Sequence, residues 1–280
     1  MNHIVEVDEL ERLINGSNLS RLKIIDCRFS LTDPGWGENE YKKGHIPGAL
    51  YAHLEKDLSG EVQKHGGRHP LPDDDAYEQM IRSFGIDKES IVVIYDQGGA
   101  PFASRLWWML KYAKIRQVFV LNGGIEAWKK ANLPISQETP LVEPSTFVLE
   151  KDESIIAHID EVRTFVEKRD DQVILIDSRE EKRYKGEYEP IDNKAGHIPG
   201  AINVPWQEGI NEFRFATIDK QLKRFSPLDP NKEIIVYCGS GVTAAPNVLL
   251  LKEAGFKHVK LYVGSFSDWI SYEDHEIETN

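Results

Sequence analysis

The chain has 280 residues, 40% of them hydrophobic and 10% aromatic, enough for about two domains at roughly 150 residues each. Charged residues make up 29% and are interspersed, which excludes disorder, collagen and coiled coil. A formal charge of −12 argues against a nucleic-acid backbone or an anionic membrane as partner.

The opening residues, from Met1 to Leu10, are acidic and lack the basic start and apolar stretch of a secretory signal. No apolar run approaches the roughly 20 residues that span a bilayer. With only Cys27 and Cys238, a disulfide scaffold or structural zinc site is excluded, and a reducing cytoplasm is expected.

Along the chain, residues 23–28 form a β-branched run that ends in Asp26-Cys27-Arg28. Gly44-His45-Ile46-Pro47-Gly48-Ala49 follows, then a strand over 91–95 that leads into Asp96-Gln97-Gly98-Gly99-Ala100-Pro101. Residues 118–121 and Trp128 close this half. Residues 134–147 carry three prolines and no helical stripe, and so read as an extended linker.

The pattern then recurs in the same order. Apolar Ile156, Ile159, Val162, Phe165 and Val166 predict a helix over 155–167. Strands are predicted over 173–177, which leads into Ser178-Arg179, and over 233–237. Gly196-His197-Ile198-Pro199-Gly200-Ala201 repeats the earlier motif, and a helix is expected over 247–254 with Gly255 at its C-cap. Residues 259–262 and Trp269 match 118–121 and Trp128. One domain has been duplicated. The expected division is 1–135, a linker over 136–147, and 148–280. Buried β-branched runs alternating with helices imply an α/β fold in which each copy is a mostly parallel sheet flanked by helices on both faces.

In such sheets ligands bind beyond the carboxyl ends of the strands. The segment after Tyr237 is Cys238-Gly239-Ser240-Gly241-Val242-Thr243-Ala244-Ala245-Pro246. Here a cysteine ends a buried strand, two glycines permit a tight loop, and Pro246 suits a first helical turn. Backbone N–H groups and a helix N-terminus can lower the thiol pKa, as a nucleophile requires. Taken alone, the same cysteine also fits a small buried strand-end residue.

Together, the repeat, the 177–184 region, the Gly-His-Ile-Pro-Gly-Ala motif and the Cys238 loop resemble the two-domain rhodanese-type sulfurtransferases. The resemblance covers nearly the whole chain. It implies two rhodanese-like domains with an active site in the cleft between them, and no metal or organic cofactor. In the implied mechanism Cys238 takes a sulfane sulfur from a donor, becomes a persulfide and passes the sulfur to cyanide or a thiol, thioredoxin being one possible acceptor. It further implies donor contacts from Arg183 and from Gly239, Gly241, Val242 and Thr243, and a proton relay of Asp33, His45 and Ser240.

Asp96 occupies the cysteine position of the first copy, which should therefore be catalytically silent, with Cys27 a small core residue. Arg179, matched by Arg28, reads as a structural ion pair. His45 and His197 share a motif although only one copy has the cysteine, so a structural role stands beside the relay. The arginine that many mercaptopyruvate-type members carry before the second Gly-His-Ile-Pro-Gly motif is absent, with Lys194 as the nearest substitute. A cysteine phosphatase is excluded, because the arginine it needs falls at Ala244. A non-catalytic sulfur-carrier or interaction module is the remaining class. Neutral Gly239 and Ser240 favour 3-mercaptopyruvate as donor, with thiosulfate as the alternative.

Overall fold

The computed structural model describes residues 3–17 and 19–279, so Met1 and Asn2 of the acidic opening segment lie outside it. The chain forms two compact units. The first comprises Met1–Gly60, Leu71–Asp152 and Asn211–Phe215, and the second Glu61–Pro70, Glu153–Ile210 and Ala216–Asn280. Each therefore contains a short piece from the opposite half of the sequence.

The first unit is built on strands β1 (Ile4–Val5), β2 (Leu22–Asp26), β3 (Ala49–Tyr51), β4 (Ile91–Tyr95) and β5 (Gln117–Leu121), in the order β1-β5-β4-β2-β3. Every pairing is parallel. β4 reads Ile-Val-Val-Ile-Tyr and all five residues are buried, as a central strand covered on both sides requires. Leu22, Ile24, Val93, Tyr95, Leu121 and Trp128 belong to one core cluster. The helix Pro101–Tyr112 is buried along almost its whole length.

The second unit repeats this plan. Its strands are β6 (Ile156–Ala157), β7 (Val173–Asp177), β8 (Ile202–Asn203), β11 (Glu233–Tyr237) and β12 (Val259–Tyr262). Their order is β6-β12-β11-β7-β8, again all parallel. Strands β9 (Ile210–Asn211) and β10 (Arg214–Phe215) pair as a separate two-stranded sheet. Each five-stranded sheet is flanked by helices, the α/β architecture that the alternating pattern predicts. No helix among the described residues is long and apolar enough to cross a membrane.

Two local expectations shift. The stripe over 155–167 is not one helix: Ile156–Ala157 pair with Leu261 and Tyr262 as an edge strand, and the helix is Ile159–Lys168. Glu161 accepts the His158 N–H at 3.0 Å and so sets the later start. At the other end, the helix Ala245–Glu253 is capped by Ala254, and Gly255 follows one residue beyond with φ +93°.

The repeated Gly-His-Ile-Pro-Gly-Ala motif is a clasp. Arg28 pairs with Asp26 at 2.6 Å and donates to the Gly44 carbonyl, as Arg179 does to Asp177 and the Gly196 carbonyl. Tyr95 and Tyr237 accept the Ile46 and Ile198 N–H groups. These contacts tie the motif to the strand ends in both units, and Arg28 and Arg179 are buried ion-pair partners.

Candidate active site

Cys238 follows the last residue of β11 and is 1% exposed. Its N–H donates to Ser265 Oγ at 3.1 Å and its carbonyl accepts the Phe266 N–H at 3.0 Å, so the backbone at the sulfur-bearing position is held from one side. The loop that carries Gly239, Ser240, Gly241, Val242 and Thr243 runs from here to Ala245–Glu253, with Pro246 in the first helical turn. Gly241 has φ +73°, and a Cβ there would lie 2.2 Å from the Val263 carbonyl oxygen, so only glycine lets the loop pass this close.

A second segment reaches the same loop. Residues 61–70, which belong to this unit, are anchored on 264–272. The Gly66 N–H donates to Asp268 Oδ1 at 2.7 Å, the Arg68 N–H donates to Ser267 Oγ at 3.1 Å, and His65 stacks on Tyr272. Gly67 has φ +82° and a Cβ on it would meet the Gly264 oxygen at 2.4 Å. Next in the chain, His69 Nδ1 lies 2.8 Å from Ser240 Oγ.

Arg183 lies in the short helix Glu181–Tyr184 and is held by two carboxylates that are each 3% exposed. Its Nε and Nη2 donate to Glu189 at 2.9 and 2.7 Å, and Nη2 also donates to Asp192 at 3.0 Å. Glu189 further accepts from Arg179, and the other oxygen of Asp192 accepts from Arg68. The segment before the second Gly-His-Ile-Pro-Gly motif thus contributes buried anions that orient guanidinium groups. Around Gly239 the nearest side-chain atoms belong to Arg68 and Arg183, so Arg68 stands as a second cation beside the loop.

His45 is fully buried, stacked on Tyr41, with Nδ1 and Nε2 paired to the carbonyls of Tyr41 and Glu138 at 2.8 and 3.1 Å. His197 repeats the arrangement on Tyr184, with Nδ1 on the Tyr184 carbonyl. Asp33 is exposed, in the loop before the helix Trp36–Lys43. The relay expected on Asp33, His45 and Ser240 is therefore corrected. Both His45 ring nitrogens face backbone carbonyl oxygens, and the histidine on the Ser240 hydroxyl is His69. Arg68, His69 and Asp192 were missed because no periodic element contains them. The one signal for Arg68 and His69 was a glycine pair followed by Arg-His-Pro that no helix or strand absorbed.

The equivalent loop in the first unit holds Asp96, 1% exposed. One carboxylate oxygen accepts the Gly98 and Ala100 N–H groups and the other those of Phe102 and Ala103, at 2.9 to 3.3 Å. Burial nevertheless raises its pKa to about 6, outweighing these donors. The loop is an anion cradle whose anion is its own side chain. Cys27 is also buried. Burial and then the charges of Asp26, Asp96 and Asp57 push its thiol well above the usual range, which leaves it a poor nucleophile.

The rhodanese-like domain model matches residues 6–131 and again 159–272. A Pseudomonas aeruginosa protein named "Probable 3-mercaptopyruvate sulfurtransferase" is 41% identical over 256 residues, 89% of each chain. The thiosulfate sulfurtransferase of Cricetulus griseus is 30% identical over 92% of this chain and 88% of its own. The crystal structure of SseA from Escherichia coli, described as a 3-mercaptopyruvate sulfotransferase, superposes with a TM-score of 0.82 at 30% identity, covering 95% of this chain and 100% of that one. With the match present in both halves and the same sheet repeated in both units, the chain belongs to the rhodanese-like family.

Proposed function

We propose that the protein is a sulfurtransferase that moves a sulfane sulfur from 3-mercaptopyruvate, through a persulfide on Cys238, to cyanide or a thiol. The observation that carries this is the joint placement of Ser240–His69 and two arginines around the loop that begins at Cys238. The relatives are named for both donors, so thiosulfate is the alternative.

The Cys238 thiolate attacks the donor sulfur. An S–S bond forms, the C–S bond breaks, and its electron pair passes to the carbon skeleton as the enolate of pyruvate. Ser240 donates a hydrogen bond to the enolate oxygen and the His69–Ser240 pair delivers the proton that completes pyruvate. Cyanide or a thiolate then takes the outer sulfur and Cys238 returns as thiolate. Arg183 holds the donor carboxylate, and Gly239, Gly241, Val242 and Thr243 give the loop its shape and backbone donors. The first unit is catalytically silent, because a carboxylate cannot carry a persulfide. Both cysteines are free thiols, which suits a reducing cytoplasm and an acceptor such as thioredoxin.

The deciding experiment is intact-mass analysis after donor treatment, followed by thiocyanate formation with cyanide. One added sulfur atom on the Cys238 peptide is expected. An adduct on Cys27, or no adduct with either donor, would falsify the mechanism.

A further inference from the structure

Arg68 is separated from the Cys238 loop by most of the chain, yet its guanidinium is the nearest group to the empty side-chain position of Gly239. A Cβ built there would lie 2.9 Å from Arg68 Nη2, and 3.6 and 3.8 Å from Arg183 Nη2 and Nη1. The loop contains no cation of its own, and two guanidinium groups arrive at it from different segments.

Two like charges this close need compensation. Asp192 lies between them, with one oxygen on Arg68 and the other on Arg183. Glu189 takes two further donors of Arg183. The carboxylates occupy one edge of each guanidinium. Among the described residues, Arg68 Nη2 and Arg183 Nη1 carry no hydrogen bond, and these are donors that approach Gly239. Guanidinium donors beside the loop that begins at the nucleophile, with their other edges held by buried anions, are what recognition of a planar or tetrahedral oxyanion requires.

The Arg68 backbone is equally constrained, by Ser267 Oγ on its own N–H and by the glycine contact of Gly67 with Gly264. Burial lowers the Arg68 pKa, as expected for a guanidinium drawn in from solvent.

We propose that Arg68 and Arg183 together form the receptor for the anionic end of the sulfur donor, a carboxylate or a sulfonate, with Arg68 as a determinant of donor choice. The proposal rests on Cys238 being the reactive thiol. A second guanidinium favours a dianion more than a monoanion, so Arg68 keeps thiosulfate usable despite the neutral Gly239 and Ser240.

The test separates anion recognition from turnover. Cys238 in the full chain is alkylated with neutral iodoacetamide and with anionic iodoacetate, and the two rate constants are compared for wild type, Arg68→Ala, Arg68→Gln and Arg68→Lys. A thiolate effect or a loosened fold moves both reagents alike, whereas a lost receptor moves only the anion. The iodoacetate-to-iodoacetamide ratio should fall about fivefold to tenfold in Arg68→Ala and Arg68→Gln, with Arg68→Lys recovering part of it. Steady-state kinetics should show KM rising for both donors, more for thiosulfate, with kcat less affected. A ratio within twofold of wild type in whichever of these variants fold would overturn the proposal, even if persulfide chemistry on Cys238 stands. Absence of any persulfide in the wild type would overturn the proposed function and leave the alkylation ratio readable.

Discussion

Cys238 and Cys27 are both buried free thiols just beyond the ends of parallel strands, and their surroundings separate them. Burial, reinforced by three carboxylates, pushes the Cys27 thiol well above its usual range, whereas Cys238 opens a loop flanked by two guanidinium groups and a serine–histidine pair. Cys238→Ser should therefore abolish sulfur transfer while Cys27→Ser retains most of it, as measured by thiocyanate formation. The two histidines divide in the same way. His69→Gln should lower kcat for 3-mercaptopyruvate by about a hundredfold, the usual worth of a positioned proton donor. His45→Gln should instead lower the melting temperature and leave kcat per folded molecule nearly unchanged, because the buried His45 ring stacks on Tyr41 with Nδ1 2.8 Å from the Tyr41 carbonyl oxygen.

At the scale of elements, the two strand–loop–helix turns are one device filled differently. In the first unit the Asp96 carboxylate satisfies four backbone N–H groups. Asp96→Asn points an NH2 at two of them and should cost about 2–3 kcal/mol in urea unfolding. Asp96→Cys should form no persulfide on donor treatment. The pH dependence follows from the raised pKa of about 6 against an ordinary value of 3.8. Between those values the folded state keeps a proton that the unfolded state has released, so the stability contributed by this group falls as pH rises towards 6. Wild type should lose stability from this source between pH 4 and 6 with a slope of up to about 1.4 kcal/mol per pH unit, and Asp96→Asn should lack that component. Parallel slopes for the two proteins would show that Asp96 does not titrate there.

For the molecule as a whole, segment 61–70 is decisive, since it carries Arg68 and His69 into the second unit. Gly67→Val puts a branched side chain where even a Cβ would meet the Gly264 oxygen at 2.4 Å, in a backbone conformation that β-branched residues avoid. It should cut kcat/KM by orders of magnitude through misplacement of both groups, while the Cys238 peptide remains alkylated by iodoacetamide. Residues from about 150 to 280 expressed alone lack the segment and should be much less active for the same reason.

The sequence by itself determined what short-range physics decides. Runs such as Ile-Val-Val-Ile-Tyr become buried parallel strands because β-branched residues pack well on a pleated sheet covered on both faces, and the strands over 91–95, 173–177 and 233–237 fall on those residues. The duplication of motifs implied the duplication of the sheet, and Cys238 was legible because strand, glycine loop and helix are contiguous. Edge strand β6 was not, since two residues have no period and only pairing with β12 makes them a strand. Nor was the ring of side chains about Cys238. The Gly-His-Ile-Pro-Gly motif drew attention to His45, but stacking and two carbonyls consume that ring. The histidine on Ser240 comes from an aperiodic stretch 171 residues earlier in the chain. Contacts at such separation leave no local trace: residues 61–70 are held by single hydrogen bonds and glycine approaches to 264–272, not by a repeating apolar face, and only the folded chain brings Arg68 and His69 to the loop that begins at the cysteine the sequence had already marked.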